Sequence, residues 1–203
     1  PNSCLIVVND GSKDGTGAIL DQLASADSRL RIIHKANSGH GPSLIRALNE
    51  ADSEYVFLVD SDRQIPLDCF PGFWQQMLKP GTDGVFGIRT RRQDPLVRLW
   101  LSKFISFTLG AIFSVKLVDP NIPCKLFRRE IWTQLHERMK DDTLMAPSLV
   151  IAIFAKRHNY NIVEKPVSHR ARSLGEPSLR LTKLIKFCFR AFRQLMDVKE
   201  KVG

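Results

Sequence analysis

Four short apolar runs, at residues 4–8, 30–34, 55–59 and 84–88, alternate with helical patterns at 16–26, 41–51 and 67–78. Runs that are apolar throughout, rather than at every second residue, belong to strands covered on both faces. With helices between them, they predict an α/β fold built on a mostly parallel, Rossmann-like sheet covered by helices. Polar segments follow each run, at 9–12, 35–40, 60–64 and 89–92. In a parallel sheet these four loops leave from one carboxyl edge, where open α/β folds bind ligands. The second half is less regular. It predicts a long helix over 96–114, a strand at 125–128, a helix at 147–157, a strand at 161–164 and a final helix from 179.

The length of 203 residues suits one domain with a small appendage, which places the division between 1–178 and 179–203. The net charge of +9 favours an anionic partner. The four cysteines form no Cys-x-x-Cys pair, so neither a zinc site nor a disulfide framework is expected. The longest charge-free apolar stretch, 104–115, is shorter than the roughly 20 residues a membrane span takes. Neither a signal peptide nor a transmembrane segment is expected within these residues.

The chemistry concentrates in the loops. Asp60 and Asp62 end the run at 55–59, with Gln64 two residues further on. Such a set can present three oxygen ligands to one hard cation, Mg²⁺ or Mn²⁺, which commonly shares its shell with substrate phosphates. The plainer reading of Asp-Ser-Asp is a solvated turn; its place after a buried strand, beside other polar strand ends, favours the metal site. Asp10, in Asn-Asp-Gly-Ser-Lys-Asp-Gly-Thr, sits where a carboxylate can accept from a nucleobase, and Asp14 or Thr16 caps the helix that follows. Lys35 and His40 lie in a glycine-containing turn within reach of phosphate. Neither a P-loop nor a dinucleotide fingerprint is present.

The ordered set Asn-Asp-Gly-Ser-x-Asp-Gly-Thr, Asn-x-Gly-His-Gly and Asp-Ser-Asp-x-Gln resembles the family 2 glycosyltransferases of GT-A fold. Within them it is most similar to the dolichyl-phosphate mannosyltransferase-like, or polyprenyl-phosphate, branch, over about residues 5–178. The resemblance implies that Asp10 contacts the base and that Asp60, Asp62 and Gln64 hold the metal on the donor diphosphate. Arg89 matches an arginine facing the acceptor phosphate, and Arg98 and Ser102, four apart on one helix face, suit the same task. Asp119, in Asp-Pro-Asn-Ile-Pro-Cys-Lys-Leu, is implied to lie under the donor sugar, as a sugar-binding residue or a base. Arg172, in a segment of the form Arg-x-x-Gly-x-Ser, is implied to stabilise the diphosphate. The family opens with a further strand ending in Tyr-Asn-Glu; this chain starts ahead of the family's second strand, so that strand is expected to be missing.

On a helical wheel, residues 180–196 place Arg180, Lys183, Lys186, Arg190 and Arg193 on one side. Leu181, Leu184, Ile185, Cys188, Phe189, Ala191, Phe192, Leu195 and Met196 fall on the other. Such a helix suits an anionic membrane surface, or it packs its apolar side on the domain. The expectation is therefore a metal-dependent, inverting glycosyltransferase, peripheral at the cytoplasmic face of a membrane. It would move a sugar from a nucleotide-sugar donor to a polyprenyl phosphate. The same chemistry with a hydroxyl acceptor, or a non-catalytic membrane-associated fragment, are the alternatives. Nucleic acid is not an expected partner, since the basic residues do not interleave with aromatics.

Overall fold

The computed structural model describes residues 3–90, 108–116, 118–170, 190–197 and 199. Its elements run β1 (Leu5–Asp10), α1 (Thr16–Ala26), β2 (Leu30–Lys35), α2 (His40–Glu50), β3 (Tyr55–Val59), α3 (Phe70–Met77), β4 (Gly84–Arg89), β5 (Cys124–Arg128), α4 (Arg129–Met139), α5 (Pro147–Arg157) and β6 (Ile162–Val167). Further helical turns occupy 108–113 and 190–197. The strands and helices expected in the first half are all present; α1 and β3 have the expected ends, and the others shift by a few residues. β1 runs two residues further than expected, so Asn9 and Asp10 belong to the strand itself. The helix expected over 67–78 opens as a 3-10 turn, Leu67–Cys69, before α3. Of the helix expected at 96–114, only its end lies within the described residues.

The strands form two sheets. β1 and β2 pair in parallel, and the second sheet has the order β3–β5–β4–β6. β5 runs antiparallel to both β3 and β4, while β4 and β6 are parallel. Thus β3, β4 and β6 share one direction and release their carboxyl ends at one edge; β5 alone runs against them. Among the described residues β1 and β3 each have one strand neighbour.

α4 was not expected from the sequence. It follows β5 without a loop, and its cap position, Arg128, offers no side-chain cap. Its apolar residues Ile131, Trp132, Leu135 and Met139 recur at helical spacing and are buried. α5 carries a proline in its first turn and is apolar over most of its length, which leaves Leu149–Ala155 almost wholly enclosed. The core divides across the four-stranded sheet. Cys124 and Leu126 of β5 meet Phe73 and Met77 of α3 on one face; Phe127 meets Trp132 and Phe154 on the other. The two-residue period of a strand puts Lys125 on the same face as Phe127, inside the apolar core. At the carboxyl end, Ala191 and Leu195 are buried, while Phe192 and Met196 are 38% and 39% exposed. That helix packs part of its apolar side on the domain. No helix among the described residues is long and apolar enough to cross a membrane.

Candidate active site

Two clusters of polar residues lie at strand ends, and their local chemistry differs. At the ends of β1 and β2, the Asp10 carboxylate accepts from Lys35 Nζ at 2.5 Å and from the Ser38 and Gly39 amides at 2.9 Å each. Lys35 Nζ also donates to Ala36 O and to Ser38 Oγ. Asn37 Nδ2 donates to Asp10 O, and Gly11 takes a left-handed φ of 73° where a Cβ would meet Asn37 N at 2.8 Å. This close approach admits only glycine. Burial pushes the Asp10 carboxyl up, but the bonds from Lys35, Ser38, Gly39 and Ser43 outweigh it and bring the pKa down to about 2. The same loop leads into α2. There Gly41 packs so tightly on the 144–145 backbone that a Cβ would lie 1.9 Å from Leu144 O.

At the ends of β3 and β4 the side chains line a cavity of about 180 Å³. Asp60, Asp62, Gln64, Ile65, Arg89, Asn121, Pro123 and His169 line it. Its size suits a diphosphate end, not a whole nucleotide sugar, since drug-sized ligands take roughly 300–1,000 Å³. The turn after β3 is held by Arg63, a non-glycine residue at φ 59°, and by the Gln64 amide donating to Asp62 Oδ1 at 3.0 Å. The Arg170 amide donates to Gln64 O at 2.8 Å, which fastens the segment after β6 over this turn. Burial pushes the Asp60 carboxyl above its ordinary range. His40, 4.0 Å away, pulls it back, and Asp62 adds to the rise. A carboxylate raised by burial and by a second carboxylate is a site where a cation relieves the strain. The paired acid groups and the nearby amide oxygen of Gln64 are the hard oxygen donors that Mg²⁺ and Mn²⁺ favour, so the residues fit such an ion.

Arg89 and Asp119 form a bidentate pair at the cavity's rim. Arg89 Nε and Nη2 donate to the two carboxylate oxygens at 2.8 and 2.6 Å, and the Arg89 amide adds a bond at 3.2 Å. The side chains are 18% and 5% exposed, so the charges face little water.

The structure therefore brings Asp60, Asp62, Gln64 and Arg89 together around one cavity, with His40 and Asp119 at their side. Asp10 and Lys35 stand apart from that cavity and hold the loop before α2. Arg98, Ser102 and Arg172 lie outside the described residues. Of the other lining residues, Ile65 directly follows Gln64, Asn121 lies in the Asp-Pro-Asn-Ile-Pro segment and His169 stands three residues before Arg172; the fold brings their side chains to the cavity. Lys125, in the same Asp-Pro-Asn-Ile-Pro-Cys-Lys-Leu segment, is fully buried beside the site.

The model of the family described as glycosyl transferase family 2 matches residues 1–159. The undecaprenyl-phosphate 4-deoxy-4-formamido-L-arabinose transferase of Proteus mirabilis is 28% identical over 190 residues, covering 91% of this chain and 55% of that protein. The enzyme of the same name from Pseudomonas fluorescens is 26% identical over 187 residues, covering 91% and 53%. The chain thus spans about half the length of the curated relatives it matches. Glucosyl-3-phosphoglycerate synthase from Mycobacterium tuberculosis shares the fold. Its complex with UDP superposes with a TM-score of 0.67 at 18% identity, over 97% of this chain and 69% of that one. Its complex with Mn²⁺, UDP and glucosyl-3-phosphoglycerate gives 0.66 at 18% identity, over 96% and 68%. The GT-A architecture expected from the sequence is the one these structures share, and the match over 1–159 shows that the chain belongs to glycosyl transferase family 2.

Proposed function

We propose that this chain is the catalytic domain of a transferase that moves a sugar from a nucleotide-activated donor to a polyprenyl phosphate. The observation that carries the reading is the cavity where Asp60, Asp62, Gln64 and Arg89 converge. The curated relatives carry names of undecaprenyl-phosphate sugar transferases, and the structural neighbour binds UDP with Mn²⁺. In this reading Asp60 and Asp62, with Gln64, hold Mg²⁺ or Mn²⁺. When bound, the ion neutralises the charge that builds on the leaving nucleoside diphosphate. Asp10 and Lys35 set the loop 35–39, which puts His40 beside Asp60 on the donor side. Arg89, held flat by Asp119, gives the acceptor phosphate a guanidinium to approach, with Arg98 and Ser102 assigned to the same task. Arg172 is assigned to the diphosphate.

The acceptor phosphate is anionic at neutral pH, so it attacks the anomeric carbon without a protein base, and one displacement inverts that centre. This agrees with Asp119 being tied to Arg89, where its charge orients an arginine. Phe192 and Met196, exposed beside the exposed Arg190 and Arg193, support peripheral contact with an anionic lipid surface, which we place at the cytoplasmic face. The test is transfer by the 203-residue chain from UDP- and GDP-sugars, with Mn²⁺ or Mg²⁺, to undecaprenyl or dolichyl phosphate, against glycan and lipid hydroxyls. Transfer to the phosphates, lost with EDTA, is expected. Transfer to hydroxyl acceptors alone would overturn the acceptor assignment.

A further inference from the structure

Lys125 stands on the core-facing side of β5 and is 0% exposed. A buried ammonium persists only where its three N–H groups are satisfied. Here Nζ donates to Pro120 O at 3.0 Å, to Ile122 O at 2.5 Å and to Ser148 Oγ of α5 at 2.6 Å. Ser148 Oγ in turn donates to Ile122 O at 3.0 Å, and the Ile122 amide donates to Asp119 O at 3.3 Å. The five residues from Asp119 to Pro123 are thereby curled around one cation. That curl begins at the carboxylate gripping Arg89 and contains Asn121 and Pro123, which wall the cavity. The Phe86 ring lies 5.4 Å from Nζ and closes the remaining side.

An apolar residue at 125 would satisfy the core on that face as well as its neighbour Phe127 does. A lysine there is a costly choice for packing alone: burial pulls its pKa down to about 7, against the pull of Asp119 in the other direction. What it supplies that a methionine cannot is an anchor for two loop carbonyls and a positive charge behind Asp119 and Asp60. We infer that Lys125 is a positioning residue for the transfer reaction, its ammonium holding the 119–123 loop so that Asn121, Pro123 and the Asp119–Arg89 pair present a fixed wall to the reacting groups. It touches neither donor nor acceptor. The inference rests on the glycosyl-transfer reading for its catalytic consequence, and on the hydrogen bonds alone for its structural one.

The experiment compares Lys125→Met, Lys125→Arg and Ser148→Ala in the 203-residue chain, with two readouts. The first is amide hydrogen exchange. In Lys125→Met the 119–124 amides are expected to exchange at least about tenfold faster, while α5 and β4 keep their protection. The second is steady-state transfer with Mn²⁺. There kcat falls about 10²-fold in Lys125→Met with KM for the nucleotide sugar changed less than about threefold, because misplacement by an ångström is enough for such a loss. Lys125→Arg, which keeps the charge and donors, recovers part of kcat; Ser148→Ala, which removes one of three acceptors, shows an intermediate loss. Unchanged exchange at 119–124 in Lys125→Met overturns the inference whatever the activity. So does exchange raised equally through β3, β4 and β5, which would make Lys125 a general stability residue. If the wild-type chain transfers no sugar while exchange responds as expected, the functional reading fails and the anchoring role of Lys125 stands.

Discussion

Asp10 and Asp60 both stand at the carboxyl end of a short apolar strand, and their surroundings are opposite in kind. Asp10 is surrounded by donors from the end of β2 and the loop after it, and its carboxyl is depressed to about 2. Asp60 has a second carboxylate two residues away, and burial pushes its own pKa up. A carboxylate saturated by the protein's donors stabilises the fold; one raised by burial and a second carboxylate stores a demand that a cation meets. The contrast teaches that strand-end aspartates cannot be sorted by sequence position. What sorts them is whether a neighbouring strand's loop brings its amides to the carboxylate, as 38–39 do for Asp10, or the strand end opens on a cavity, as at Asp60.

The largest effect expected is in the cavity. Asp60→Asn and Asp62→Asn should each lower metal-dependent transfer on the order of 10³-fold or more. Because Asp60 is raised above its unfolded value, its ionised form is unfavourable in the folded chain at neutral pH. Asp60→Asn should therefore melt at the same temperature as the wild type or a few degrees higher without metal, read by thermal unfolding with EDTA. Activity retained in both variants would break the comparison at its root.

Next comes the Arg89–Asp119 pair. Asp119→Asn and Arg89→Gln should each reduce transfer by about 10–100-fold, and the double variant should lose little more than either single one. Near-equal, non-additive losses are the mark of a pair that works as a unit. A loss at Asp119 exceeding that at Arg89 by orders of magnitude would instead make Asp119 a base and the acceptor a hydroxyl. Both variants should also be destabilised, since each leaves a buried partner without its counterpart.

The sequence made the strand ends legible because apolar runs and polar stops are local signals. Cys4 to Gln64 could be parsed this way, and the Asp60, Asp62 and Gln64 grouping followed from spacing. What it did not disclose was return geometry. Asn121 and His169 enter the cavity from chain segments more than fifty residues away from Asp60; the resemblance marks those segments, but only the fold shows which of their side chains line the cavity. α4 was hidden because β5 runs into it with no turn residue between Arg128 and Arg129. Nor does any local pattern distinguish Asp10 from Asp60: the difference comes from the loop after β2, which closes on Asp10 and leaves Asp60 facing the cavity. Lys125 sits in a stretch reading as a strand, and only the fold shows that its charge is enclosed.

The smallest effect lies with Asp10, and its pH dependence sharpens the comparison. Asp10→Ala should lower transfer only a few-fold while making the chain less stable by about 1–2 kcal/mol at neutral pH, from the loss of a charge-assisted network that is 23% exposed. Between pH 4 and 2 the unfolded chain binds a proton at this residue that the folded chain does not, because the folded carboxyl is depressed from 3.8 to about 2. The stabilisation is therefore complete above about pH 4 and is lost as pH falls toward 2. Asp60 contributes with the opposite sign: its raised carboxyl favours the protonated folded form, so its term falls as pH rises past 3.8. Asp27 is depressed to about 2 as well, through Arg29, but the pair lies open to solvent, which screens what it is worth. Denaturant unfolding from pH 7 to 3 should thus show a shallower acid loss in Asp10→Asn, little change in Asp27→Asn, and a steeper loss in Asp60→Asn than in the wild type. An Asp10→Asn curve parallel to the wild type throughout would mean that the loop holds without its carboxylate, and the structural half of the contrast would fall.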